Sequence, residues 1–119
     1  MNPEKPEDKT KFRRDAIYAQ RLKWVMLRIS KDNIKAVDVV GMVTAHFDCG
    51  EAYSKWLVRR SASEVAAQML SQAHNPAEVG RYISESWEYG EKVTDTVIRE
   101  GASLLMARFD AIDPWPVCA

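Results

Sequence analysis

The sequence predicts an all-α protein that folds as a compact bundle of about five or six helices. Apolar residues recur at spacings of three to five along most of the chain, which is the period of a helix with one buried face. At 119 residues the chain suits a single domain that buries a real core. We therefore predict one helical domain over residues 10–113.

The first predicted helix spans residues 10–29. Residues 1–9 are polar, contain two prolines and show no periodicity, so we predict a disordered tail there. Residues 114–119 begin with a helix-breaking proline and are predicted to form an irregular tail. Trp115 in this tail is either a docking residue or, as we expect, folds back over the end of the bundle. The apolar stripe of the first helix consists of Ile17, Leu22, Val25 and Ile29.

Residues 33–46 fit two patterns. We predict a second helix here, begun by Ser30 or Asp32, because no second convincing strand is available to pair with a first. The segment is also rich in valine, and several of its valines alternate with other residues as they do in a strand. The alternative fold class is therefore α+β, with one β-hairpin at about residues 23–44.

The stretch "AHFDCGEAY" at residues 45–53 brings a histidine close to a cysteine. We interpret it as a helix boundary, with His46 near the end of the second helix. Asp48 would cap the third helix and Glu51 would complete a capping box. Cys49 would then occupy the first helical position. The positive end of the helix dipole favours a thiolate there, which makes Cys49 a candidate reactive thiol.

Other helix boundaries follow from local chemistry. Asn75 is a strong N-cap, Pro76 suits the first helical position, and Glu78 can complete a capping box. Gly90 is expected to end or kink the helix that follows. The third helix either runs through Ser61 or restarts there, since Ser61 heads another capping-box pattern. The tryptophans predicted to lie in the core are Trp24, Trp56 and Trp87.

Charge is unevenly distributed although the net charge is zero. Residues 1–60 hold 13 Lys/Arg and 8 Asp/Glu, and residues 61–119 hold 4 and 9, giving +5 and −5. Such asymmetry is typical of a nucleic-acid face or of head-to-tail self-association. No apolar run is long enough for a membrane span and no signal peptide is visible, so we expect a cytoplasmic protein without a membrane partner.

Function is predicted only in outline. The two histidines and two cysteines lack the spacing of a zinc site, and we predict no catalytic, metal or cofactor site. We predict a non-enzymatic protein-binding adaptor, inhibitor or small regulatory subunit that acts through helical surfaces. We expect it to bind a protein partner and to form a homo-oligomer.

The alternative is a small helix-turn-helix DNA-binding transcriptional regulator whose third helix contacts the nucleic acid. The side chains predicted to contact a protein or a nucleic acid are aromatic or basic and lie in the first half of the chain. They are Tyr53, Lys55, Trp56, Arg59, Arg60, Arg13, Arg14, Lys31 and Lys35.

Overall fold

The computed structural model describes the backbone of residues 6–111 and the side chains of residues 16–109, and it confirms the predicted all-α bundle. Residues 1–5 and 112–119, which include part of the predicted N-terminal tail and all of the C-terminal one, lie outside this description. Within residues 6–111 the chain forms five helices and no strand. They are α1 (Pro6–Ser30), α2 (Ala36–Phe47), α3 (Glu51–Ser71), α4 (Pro76–Trp87) and α5 (Glu91–Ala111).

Helix α1 begins earlier than the sequence predicted. It starts at Pro6, inside the segment 1–9 that we predicted to be a tail, and not at Thr10. Proline suits the first helical position because the N–H that it lacks has no partner there anyway. Of the predicted stripe, Leu22, Val25 and Ile29 are buried, whereas Ile17 is 47% exposed. Over residues 6–111, no helix combines the length with the apolar character that a membrane crossing requires.

Helix α2 decides between the two patterns that the sequence offered, and the β-hairpin alternative is wrong. Val39 and Val43 are fully buried, whereas Val37 is 74% exposed. A strand would place these three valines on one face, since they differ by even numbers of positions. A helix separates Val37 from the other two, and this is the arrangement observed.

Helix α3 is the centre of the bundle, because each of the other four helices packs against it. It runs without a break through Ser61, whose hydroxyl donates to the carbonyl of Val58 within the same helix. The same hydroxyl accepts a hydrogen bond of 3.3 Å from Nε1 of Trp87, which is 2% exposed. The buried indole therefore keeps its polar atom satisfied while it joins α4 to α3.

Small residues let α3 and α5 approach closely. A Cβ atom at Gly101 would lie 2.8 Å from Cβ of Ala66, 2.9 Å from the carbonyl oxygen of Ser63 and 3.0 Å from the backbone nitrogen of Ala67. Two of these three atoms belong to the α3 backbone, which cannot move aside easily. The contact, here called the α3–α5 seam, therefore depends on glycine at position 101.

The helix starts are partly those predicted. Asn75 and Glu78 form the expected capping box, with 2.9 Å from the Glu78 nitrogen to Oδ1 of Asn75 and 3.2 Å from the Asn75 nitrogen to Oε1 of Glu78. The prediction for Asp48 is wrong: it ends α2 in a left-handed conformation. The N-cap of α3 is Gly50, and that of α2 is Lys35, not Ser30 or Asp32. The chain needs left-handed backbone to reverse between α2 and α3, and Asp48 tolerates it.

Each of the four connections between helices contains one residue with a left-handed backbone. None of the four is glycine, and their φ angles lie between 51° and 67°. Asparagine and aspartate adopt this conformation at modest cost, whereas alanine and glutamate do so rarely. The residues are Asn33, Asp48, Ala73 and Glu88, in chain order.

Candidate protein-interaction surface

Three aromatic rings stack where α1 meets the first turns of α3. Trp56 lies between Tyr18 and Tyr53, with ring centroids 5.4 and 5.8 Å apart and interplanar angles of 30° and 23°. Trp56 remains 47% exposed, so the prediction that it belongs to the core is wrong. The physical reason is the face of α3 that Trp56 occupies: Leu57 and Val58 take the buried face, whereas Trp56 packs between two tyrosine rings and remains open to solvent.

Arg21 fixes this cluster from α1. Its Nη1 donates a hydrogen bond of 3.1 Å to the hydroxyl of Tyr53. Its guanidinium carbon lies 5.6 Å from the centroid of the Tyr53 ring and 5.1 Å from that of Phe47, which are cation–π distances. We call Tyr18, Arg21, Tyr53 and Trp56 the aromatic face.

A second stack extends the aromatic face along α1. Trp24 and His46 lie nearly parallel, with centroids 4.5 Å apart and an angle of 11°, and Arg28 approaches the Trp24 ring at 4.9 Å. Phe47 meets both Trp24 and His46 edge-on. Since Arg21 also contacts Phe47, the two stacks are continuous. His46 is thus, as predicted, in the last turn of α2, and its ring packs on α1.

Arg60, predicted as a contact residue, is paired within the protein. Its Nη1 lies 3.1 Å from Oε1 of Glu100, and its Nε lies 3.9 Å from Oε2 of Glu64. Glu64 also accepts a 2.7 Å hydrogen bond from Arg108. Burial raises the pKa of Tyr18 above its ordinary value, and the charge of Arg60 partly opposes this rise. Arg60 therefore links α3 to α5, and two carboxylates of the protein already neutralise its charge.

Lys55 and Arg59 lie on another side of α3 and line a groove between α2, α3 and the α4–α5 connection. The groove has a volume of about 560 Å³. Lys55 is exposed and lies 3.4 Å from Glu51, which partly neutralises it. Nε of Arg59 is buried without a hydrogen-bond partner among the described residues. The lining residues, which define the valine groove, are Ala36, Val37, Val40, Lys55, Val58, Arg59, Trp87, Glu88, Tyr89 and Val93.

The remaining basic candidates do not join these surfaces. Lys31 and Lys35 are exposed at the connection between α1 and α2. Lys35 lines a smaller cavity of about 410 Å³ together with Glu85 and Glu88, so acidic groups accompany it. Arg13 and Arg14 belong to α1, but their side chains lie outside the described residues.

Cys49 lies one residue before the N-cap of α3, not in its first turn. Its sulfur lies 3.3 Å from Oγ of Ser54 and 3.7 Å from the carbonyl oxygen of Val43. Ser54 is fully buried and also lies 2.8 Å from Oγ1 of Thr44. The thiol is therefore part of a small polar network between α2 and α3, and its reactivity stays a prediction.

Sequence reasoning missed Tyr18 and Arg21. Their signal was the spacing of Tyr18, Arg21, Trp24 and Arg28, which places aromatic and arginine side chains alternately along one line of α1. Among the described residues, no group of three or more His, Cys, Asp or Glu side chains is placed to hold a metal ion. No known protein family, curated protein sequence or solved structure matches this chain.

Proposed function

We propose that the protein is a non-enzymatic protein-binding adaptor, inhibitor or small regulatory subunit and that the aromatic face binds its partner. The observation that carries this proposal is Trp56, an indole that is 47% exposed although two tyrosine rings hold it in place. Tryptophan, tyrosine and arginine are the residues most enriched among those that dominate binding energy at protein interfaces.

The rigidity of the aromatic face supports the proposal. Arg21 is held by its hydrogen bond to Tyr53 and by its contacts with two rings, so these side chains have little rotamer freedom left to lose. Ordering a flexible side chain on binding costs about 0.5–1.5 kcal/mol. A partner that binds a preordered cluster avoids that cost and gains affinity.

The charges support a protein partner more than a nucleic acid. A DNA-reading helix needs cations that are free to contact phosphates and base edges. In α3, Lys55 lies next to Glu51, and Arg60 lies between Glu64 and Glu100. The cations that remain for the helix-turn-helix alternative are Arg59 and the exposed lysines of the α1–α2 connection. This alternative stays a prediction.

Affinity purification followed by binding measurements tests the proposal. The tagged full chain is expressed in its native cells as wild type, as Trp56→Ala and as Phe109→Ala. Phe109 is the matched control, since it is 63% exposed but lies on α5, outside the aromatic face. We expect one protein to be recovered with wild type and control and to be depleted with Trp56→Ala.

Calorimetry with that protein in purified form then measures affinity. Trp56→Ala should weaken it about thirtyfold, which corresponds to about 2 kcal/mol. Equal affinity for all three chains would exclude the aromatic face as the binding site. Anisotropy of a labelled DNA duplex at low and at physiological salt tests the alternative. Binding that falls steeply with salt and is lost in Lys55→Ala/Arg59→Ala would support DNA recognition instead.

A further inference from the structure

The valine groove is a second surface, and its use does not depend on the aromatic face. Val37 on its rim is 74% exposed, the most of any large apolar side chain among the described residues. Val40, Val58 and Val93 complete an apolar lining. A volume of about 560 Å³ is within the range of about 300–1,000 Å³ that is typical of binding sites. The groove can therefore accept one or two bulky apolar side chains.

The wall formed by α3 adds the positive charge of Arg59. Arg59 has no carboxylate within salt-bridge distance among the described residues, although the adjacent Arg60 has two. Arg59 is partly exposed and lines the groove, so a carboxylate that enters the groove can pair with its guanidinium. Glu88 on the opposite wall disfavours a purely anionic ligand. The best match is thus an apolar side chain with one carboxylate nearby, directed at α3.

The chain itself contains such a segment. Residues 112–117 read "IDPWPV", with Asp113 two positions before Trp115 and without a basic residue. The prolines on either side of Trp115 restrict the free segment, which lowers the entropy lost when it binds. Trp115 suits the apolar lining, and Asp113 suits Arg59.

Distance prevents a chain from filling its own groove with Trp115. Val93 lines the groove in the first turn of α5, and that helix continues to Ala111. At about 1.5 Å per residue, this part of α5 is about 27 Å long. The residues from Ala111 to Trp115 span at most about 14 Å when fully extended. Trp115 can therefore reach only the groove of another molecule.

We propose that the valine groove binds residues 112–117 of a second copy of this chain, so that two copies exchange these segments in a dimer. Each copy supplies one segment and one groove, so the arrangement closes with twofold symmetry and leaves no groove open. The opposite net charges of the two halves of the chain agree with this pairing, since the segment belongs to the acidic half and Arg59 to the basic half.

Sedimentation equilibrium of the full chain over micromolar to submillimolar concentrations tests the proposal. We expect wild type to dimerise, and both Trp115→Ala and Val37→Glu to weaken the dimer about tenfold or more. Val37→Glu changes an exposed helical residue and should not disturb folding, which circular dichroism checks. Phe109→Ala is the control and should dimerise like wild type. The charge exchange Arg59→Glu/Asp113→Arg should restore dimerisation that either single change weakens.

A labelled peptide of residues 110–119, with Cys118→Ser to prevent disulfides, gives a second readout. It should bind Trp115→Ala chains, and Val37→Glu should weaken that binding about tenfold. A wild-type chain that stays monomeric throughout, or a dimer that persists in both Trp115→Ala and Val37→Glu, would overturn the proposal. The proposal would also be wrong if wild type is monomeric and does not bind the peptide, whereas Trp115→Ala does. That result would mean that residues 112–117 bind the groove of their own chain.

Discussion

Helix α3 packs against α5 and against α1 in two different ways. At the α3–α5 seam the contact residues are small, and Gly101 brings the two backbones together with no surface left between them. Toward α1 the contact residues are large, and Tyr18, Arg21 and Tyr53 hold the helices apart around a half-exposed Trp56. Close backbone contact gives stability and hides its residues, whereas large aromatic contacts keep part of their surface available. One helix thus carries a tightly packed seam and, on another face, a partly exposed aromatic cluster.

Gly101→Ala should disrupt the α3–α5 seam, because it forces a Cβ atom against the α3 backbone. We expect a loss of about 1–3 kcal/mol in the free energy of unfolding, as for other overpacked sites. Gly41→Ala is the matched control, since Gly41 also lies in a helix but has open space around it. That change should raise stability by about 0.5–1 kcal/mol through helix propensity. Urea denaturation of both variants would measure the contrast, and similar changes in both would show that the seam is not tightly packed.

Glu64→Gln should have a smaller effect on the free energy of unfolding. Glu64 accepts from Arg108 of α5 and lies near Arg60, which in turn is paired with Glu100. Removing its charge without changing its shape should lower the free energy of unfolding by about 1 kcal/mol. Since the arginines are partly exposed, the loss should shrink in high salt. A loss that does not depend on salt would indicate a packing defect and not a lost ion pair.

Tyr18→Phe should change how stability depends on alkaline pH. Burial raises the pKa of Tyr18, so the folded protein favours the neutral phenol more than the unfolded chain does. This stabilisation is complete below the ordinary pKa of 10.0 and is lost as the pH rises through the higher value in the folded state. As the pH rises above 10, the free energy of unfolding should therefore fall less steeply in Tyr18→Phe than in wild type. Denaturation curves recorded at a series of pH values measure this difference. Tyr82→Phe, at an exposed tyrosine of α4, is the control, and an equal change in both would contradict the assignment to Tyr18.

Trp56→Ala should cost less than the loss of a fully buried tryptophan, although it removes the same side chain. About half of Trp56 is buried, so we expect a loss of about 2 kcal/mol in thermal or urea unfolding. Trp87→Ala, at an indole that is 2% exposed, should cost about 3–5 kcal/mol. Similar losses for the two tryptophans would mean that the aromatic face is part of the core.

Local chemistry explains what the sequence predicted well. The start of α4 follows from Asn75, Pro76 and Glu78, which satisfy one another's backbone groups without help from the rest of the molecule. The same reasoning failed at Asp48, because the reversal between α2 and α3 requires left-handed backbone there. A capping pattern depends only on neighbouring residues along the chain. The backbone conformation of a turn between packed helices depends instead on how those helices pack, which the pattern does not contain.

The candidate surface depended on contacts between distant parts of the chain. Arg60 is paired with Glu100 of α5, and Trp56 stacks against Tyr18 of α1 while it stays half-exposed. Neither follows from helical periodicity, which treats every turn of a helix alike. Tyr53 and Trp56 were nevertheless chosen from the sequence, because a basic helix with aromatic residues after a tight turn is typical of helices that read DNA.

The connections between helices suggest how this protein could be made more resistant to heat. Ala73 and Glu88 adopt left-handed backbone that glycine would accept without strain, and neither belongs to the aromatic face. Glycine there removes a conformational penalty of about 1–2 kcal/mol per site, although the freer unfolded chain offsets part of this gain. Ala73→Gly is the first substitution to make, since Ala73 also lies outside the valine groove, whereas Glu88 lines it.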